Sequence, residues 1–103
     1  MRVFVCSPLR GDVAANLAFA AQLCRQVAIE GHSPCAPHVF CPQFLSDDDE
    51  LERATGIQIG LDFLSVCHEL WWHPKDGEGP THGMRAEIQA AECIGLPVRR
   101  WPL

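Results

Sequence analysis

The sequence predicts an α/β fold: one three-layer domain with a small parallel sheet of about four strands flanked by helices. Three observations predict it. Short apolar runs rich in β-branched and aromatic residues alternate with longer segments whose apolar residues recur at helical spacing. Glycine and proline punctuate the junctions between them. The chain has 103 residues, 48% hydrophobic and 20% charged, which is a globular composition and the length of a single domain covering residues 1–103.

Arg2 to Cys6 is apolar and short, as a strand is. Ser7-Pro8-Leu9-Arg10-Gly11-Asp12 breaks it, and Asp12 is placed to cap the following helix. That helix runs from Val13 to Glu30, with Leu17, Ala20, Ala21, Cys24, Val27 and Ala28 expected inward, and ends at Gly31. His32 to Pro37 reads as a brief marginal strand because of Pro34 and Pro37. Val39 to Leu45 reads as a loop. Ser46 or Asp47 caps the next helix, which runs to about Val66 or Cys67 with Leu51, Ala54, Ile57, Leu61 and Leu64 on one face. Glu69 to Trp72 is a third strand, whose adjacent tryptophans must point to opposite faces. After a polar loop, His73 to His82, comes a helix from Thr81 to Gly95 with Ala86, Ala90, Ala91 and Ile94 inward, then a last strand from Leu96 to Arg100. The alternation gives a doubly wound sheet of the flavodoxin-like or Rossmann-like kind, in which ligands sit beyond the C-terminal strand ends.

Composition removes several function classes. A net charge of −5 argues against a nucleic-acid polymer as partner, since that needs a basic patch. No stretch approaches the roughly 18 apolar residues of a membrane span. The N-terminus resembles a strand rather than a signal peptide, so a cytoplasmic protein with reduced thiols is expected. Cys35, His38 and Cys41 are compactly spaced, but zinc usually takes four ligands with pairs on separate turns. These residues are read as a loop, and Cys6, Cys24, Cys67 and Cys93 as small apolar core residues. Neither a metal nor a cofactor is expected.

The loop Ser7, Pro8, Leu9, Arg10 and Gly11 lies where parallel sheets bind ligands. Its N–H groups at a helix start suit a phosphate or a ribose hydroxyl, with Arg10 adding a bidentate contact. An ordinary βα turn with a solvated arginine has the same composition. Glu87 follows Gly83 and Met84 in the first turns of a helix near the strand ends. There a carboxylate serves as nucleophile or base, or simply complements the helix dipole. Phe40 and Phe44 either stack on a base or cover the sheet.

Three segments, taken in order, resemble the nucleoside 2-deoxyribosyltransferase-like superfamily, especially its small bacterial and phage members. Val3-Phe4-Val5-Cys6-Ser7-Pro8-Leu9-Arg10-Gly11 is similar to its first strand and Ser/Gly-Pro loop. Gly31-His32-Ser33-Pro34-Cys35-Ala36-Pro37-His38 resembles its GH-x-P-x-x-P strand. His82-Gly83-Met84-Arg85-Ala86-Glu87, continuing to Gly95-Leu96-Pro97-Val98, resembles its G-x-x-x-E-x-x-x-A helix and G-x-P-V strand.

The resemblance implies that Glu87 attacks the anomeric carbon of a nucleoside or nucleotide, releases the base and forms a glycosyl-enzyme that water or another base resolves. It implies that Ser7 to Gly11 hold the sugar or its 5′-phosphate, and that the chain forms a homodimer or higher homo-oligomer. Two supporting acids of the family are missing. Before Gly83 stands Gly79-Pro80-Thr81-His82, with Glu78 the nearest carboxylate on that side. Before the Cys67-His68 pair, the position two turns earlier is Gly60, and Asp62 falls on another helical face. His82 or His38 is then the candidate acid or base, or a hydrogen-bonding pocket residue. The expected activity is N-glycosidic hydrolysis or transfer. The alternatives are a non-catalytic protein that binds or sequesters a nucleotide signal, and an oligomerisation module.

Overall fold

The computed structural model describes residues 1–77 and 79–101. Four parallel strands form one sheet: β1 (Arg2–Cys6), β2 (Ser33–Cys35), β3 (Glu69–Trp72) and β4 (Val98–Arg100), in the order β2-β1-β3-β4. The first crossover, α1 (Val13–Ile29), carries the chain from β1 to β2 on one side. The second, through α2 (Pro37–Phe40) and α3 (Glu50–Leu64), returns it past β1 to β3. The strand order therefore reverses at β1, and α4 (His82–Cys93) completes the path to β4. This is the predicted α/β architecture of a parallel sheet flanked by helices.

β1 is buried on both faces because it is a central strand, and its alternating side chains divide the core. Val3 and Val5, with Trp71, meet Leu23 and Val27 of α1 on one face. Phe4 and Cys6, with Leu70, meet Leu64 of α3 and Met84 and Ala91 of α4 on the other. The tryptophans do separate: Trp71 belongs to the first cluster and Trp72 packs against the second.

Several local expectations need correction. The stretch expected as a loop, Val39 to Leu45, is largely helical, and Pro37 leaves the second strand: α2 covers Pro37–Phe40 and a 3-10 turn Cys41–Gln43, with Pro37 and Pro42 each near a helical start, where their missing N–H costs nothing. The cap of α3 is Asp49, which accepts from Leu51 and Glu52 N–H, in place of Ser46 or Asp47. α1 is rotated from its expected face, burying Asn16, Ala20, Leu23 and Val27 and exposing Ala21 and Ala28. Leu51 is 81% exposed and Ile94 57%, so neither is core; in α4 Met84 is buried instead. Cys93 is exposed, while Cys41 is buried and not a loop thiol. Among the described residues no helix is long and apolar enough to cross a membrane.

Candidate functional site

Beyond the C-terminal end of β1, where the strand order reverses, lies a cavity of about 600 Å³. Its floor is the end of β1, one wall is α2 and α3, and the other is the first turns of α4. Apolar residues of α3 that find no core, Ile57 and Leu61, border this space, which is why the apolar stripe of that helix is largely exposed.

The loop after β1 is shaped from α1. Asp12 caps the helix by accepting from Ala15 N–H, and Gly11 takes a φ of 98°, a left-handed conformation that suits glycine. Asn16 then donates through Nδ2 to the carbonyls of Leu9 (3.0 Å) and Arg10 (2.9 Å). Lys75 in turn donates to Asn16 Oδ1 at 3.1 Å. Asn16 was not singled out in the sequence, although a buried-face asparagine one turn into a helix is unfavourable enough to signal a side-chain role.

Ser7 is buried, and its Oγ is 2.9 Å from His38 Nε2. Pro37 starts the short helix that delivers His38 to this contact. His38 Nδ1 is buried and has no hydrogen-bond partner among the described residues. Burial lowers the imidazole's pKa to about 4, so it is neutral at neutral pH. Glu87 comes from the second turn of α4, whose start is fixed by Thr81 accepting from Met84 N–H. As a residue it is half-buried because it borders the cavity. Burial nevertheless pushes its carboxyl up to about 7, against a hydrogen bond from the Cys6 thiol that lowers it.

The structure brings together Ser7, Leu9, Arg10, His38, His82, Gly83, Met84 and Glu87 around one space. Four predicted site residues do not line it. Pro8 and Gly11 shape the loop behind it. Phe40 and Phe44 stack on each other with ring centroids 6.4 Å apart, and Phe40 also meets Phe63 edge-on at 5.8 Å. They form an exposed cluster that does not line the cavity. Arg10 is not a free anion clamp either: its Nε donates to Asp47 at 3.0 Å. Asp62 is exposed and accepts from Gln58, off the cavity wall, and Glu78 lies outside the described residues. Among the described residues no group of three or more His, Cys, Asp or Glu side chains is arranged to hold a metal ion.

The family model described as "Domain of unknown function (DUF7768)" matches residues 1–101. The chain belongs to that family. No curated protein matches the chain. Among solved structures, a 2-deoxyribosyltransferase from the psychrotolerant bacterium Bacillus psychrosaccharolyticus aligns with a TM-score of 0.68 at 16% identity, covering 97% of this chain and 71% of that one. A 2-deoxyribosyltransferase from Leishmania mexicana gives 0.68 at 13% identity, over 96% and 62%. A conserved protein from Enterococcus faecalis V583 gives 0.70 at 20% identity, over 97% and 62%. At such identities the likeness is one of fold, and the chain spans less than two thirds of the latter two proteins.

Proposed function

We propose that this chain is a single domain that binds a nucleoside or nucleotide in the cavity and cleaves or transfers its N-glycosidic bond through Glu87. The observation that carries the reading is the carboxyl of Glu87, held among protein atoms at the cavity wall beyond the strand ends. A fold like that of two 2-deoxyribosyltransferases supports it. In the reaction, an ionised Glu87 oxygen forms a bond to the anomeric carbon. The C–N bond breaks, and its electrons leave with the base, which takes up a proton. Water, or a second base, then attacks the same carbon and displaces the carboxylate.

His38 is neutral at neutral pH and serves as a hydrogen-bonding group at the cavity wall, its Nε2 holding Ser7. His82, exposed at the rim, is the candidate proton donor to the leaving base. Arg10 contacts a phosphate only if it leaves Asp47. A homodimer is proposed with this reading, since Ile57 and Leu61 leave an apolar wall of the cavity exposed. A cytoplasmic location accompanies it, supported by free thiols at all six cysteines.

A second reading, nucleotide binding without chemistry, is favoured by the engagement of the cavity's other acids. Asp47 accepts from Arg10, and Glu52 accepts from Ser46 N–H. Incubating the protein and Glu87→Gln with nucleosides, 5′-nucleotides and cyclic nucleotides, and following free base by liquid chromatography, separates the two. Free base from the unaltered protein alone is the expected result. Free base released equally by Glu87→Gln removes the nucleophile, and intact ligand held by both proteins establishes the binding reading.

A further inference from the structure

Cys6 ends β1 as a fully buried residue, and the reaction outlined above makes no use of its thiol. Its Sγ lies 3.3 Å from Glu87 Oε1 and 3.7 Å from the carbonyl of Met84, both on α4. A thiol has one proton to give. The carboxyl oxygen is the nearer acceptor and, when ionised, the stronger one. Glu87 Oε2 is directed elsewhere: it lies 4.0 Å from the point where a side chain on Gly60 would begin. The two carboxyl oxygens therefore have different surroundings, one against β1 and the other toward α3.

We infer that Cys6 is a positioning residue for Glu87: its S–H donates to Oε1, sets the rotation of the carboxyl, and leaves Oε2 as the oxygen presented to a ligand. This rests on the reading of Glu87 as the reactive group. Burial and the neighbouring Glu87 carboxylate raise the thiol's own pKa well above its ordinary value, so the S–H stays protonated and remains a donor. The other titratable groups around the cavity are Arg10 and Asp47 in the loops, His38 on α2, Cys41 in the 3-10 turn, Glu52 and Arg53 on α3, and His82 on α4. None of these hydrogen-bonds Glu87 among the described residues, and the Cys6 thiol is the group that stabilises its ionised carboxyl against the cost of burial. A core-packing cysteine would need only its volume, whereas a positioning cysteine needs its proton, and substitution separates the two.

The experiment is a titration of Glu87 by NMR with carboxyl-labelled glutamate, the signal being assigned by its absence in Glu87→Gln. Cys6→Ala and the volume-filling Cys6→Val lack the donor, and both should move the Glu87 midpoint upward. Cys6→Ser, which keeps a donor, should return it to or below the starting value. With a substrate from the chromatographic panel, kcat should fall about 2- to 12-fold in the donor-less variants, the range of one neutral-donor hydrogen bond, while KM is kept. An unchanged midpoint in either donor-less variant at native melting temperature overturns the assignment, as does Cys6→Ser behaving like Cys6→Val. The titration needs no substrate, so failure of the glycosidase reading leaves this result intact. An unmoved midpoint in an active enzyme removes only the role of Cys6.

Discussion

Glu87 and His38 line the same cavity, and burial moves them in opposite directions, the carboxyl up to about 7 and the imidazole down to about 4. Each shift favours the uncharged form. For Glu87 the folded pKa lies above the ordinary 4.5, so the folded state binds the extra proton and stability falls as pH rises from about 4.5 to 7. For His38 the folded pKa lies below the ordinary 6.5, so stability falls as pH drops from about 6.5 to 4. The two slopes oppose each other over most of that window, and above it the Glu87 penalty stands alone. Glu87→Gln should therefore be more stable than the unaltered protein at pH 8, by at most ~3 kcal/mol, with the gain shrinking toward pH 4. Urea unfolding across that range checks it, and an equal stability difference at every pH would contradict it. In the proposed reaction the Glu87 carboxyl must be ionised to attack, so kcat/KM for base release should drop as pH falls below about 7. A pH-rate profile with its lower limb near 4.5 instead would mean that the carboxyl is well solvated. The place of Glu87 near the strand ends was legible from its spacing after Gly83, whereas a role for it came only from the family resemblance. Cys6 was not, because a cysteine in an apolar strand reads as core until a carboxyl is found beside it.

Among the elements, the connection from β1 to α1 depends on one side chain. Asn16 satisfies the carbonyls of Leu9 and Arg10, and accepts from Lys75 in the turn after β3. Asn16→Ala leaves these groups without their partner in a part-buried place and should cost ~1–3 kcal/mol. Asn16→Asp keeps the acceptor for Lys75 but loses both donors, so it should also loosen the loop. Thermal melting reads the first effect, and a raised ligand Kd reads the displacement of Leu9 and Arg10 at the cavity. Native Kd in both variants would mean that Pro8 and the Ser7–His38 contact hold the loop unaided. The existence and extent of the long helices were legible because helical apolar spacing is a local property, although the cap of α3 fell at Asp49, beyond the two residues expected. The turn over residues 37–43 was not, since closely spaced prolines signal a break without saying which helical turn follows. The rotation of α1 was missed because alanines on both faces make its apolar stripe ambiguous.

At the scale of the molecule, the sheet separates a packed face from a face that also carries the cavity. Val3, Val5 and α1 fill one side, while the other is shared between Leu64, Leu70, Met84 and the cavity. Leu70→Ala opens a void beneath that second side and should cost ~2–5 kcal/mol, a large part of the 5–15 kcal/mol of a typical domain. Val27→Ala, on the opposite face, should lower stability while leaving ligand Kd unchanged. A Kd altered equally by both would mean that the two faces do not behave independently. The sequence by itself determined the alternation of elements, the parallel sheet and the position of Glu87 near its C-terminal edge, because periodicity, caps and connection handedness are short-range rules. Only the tertiary structure decided which side chains share the cavity. It paired Ser7 with His38, engaged Arg10 with Asp47, left Phe40 and Phe44 outside, and set Cys6 against Glu87. These contacts join residues distant in the chain, and the order and register of the strands bring them together.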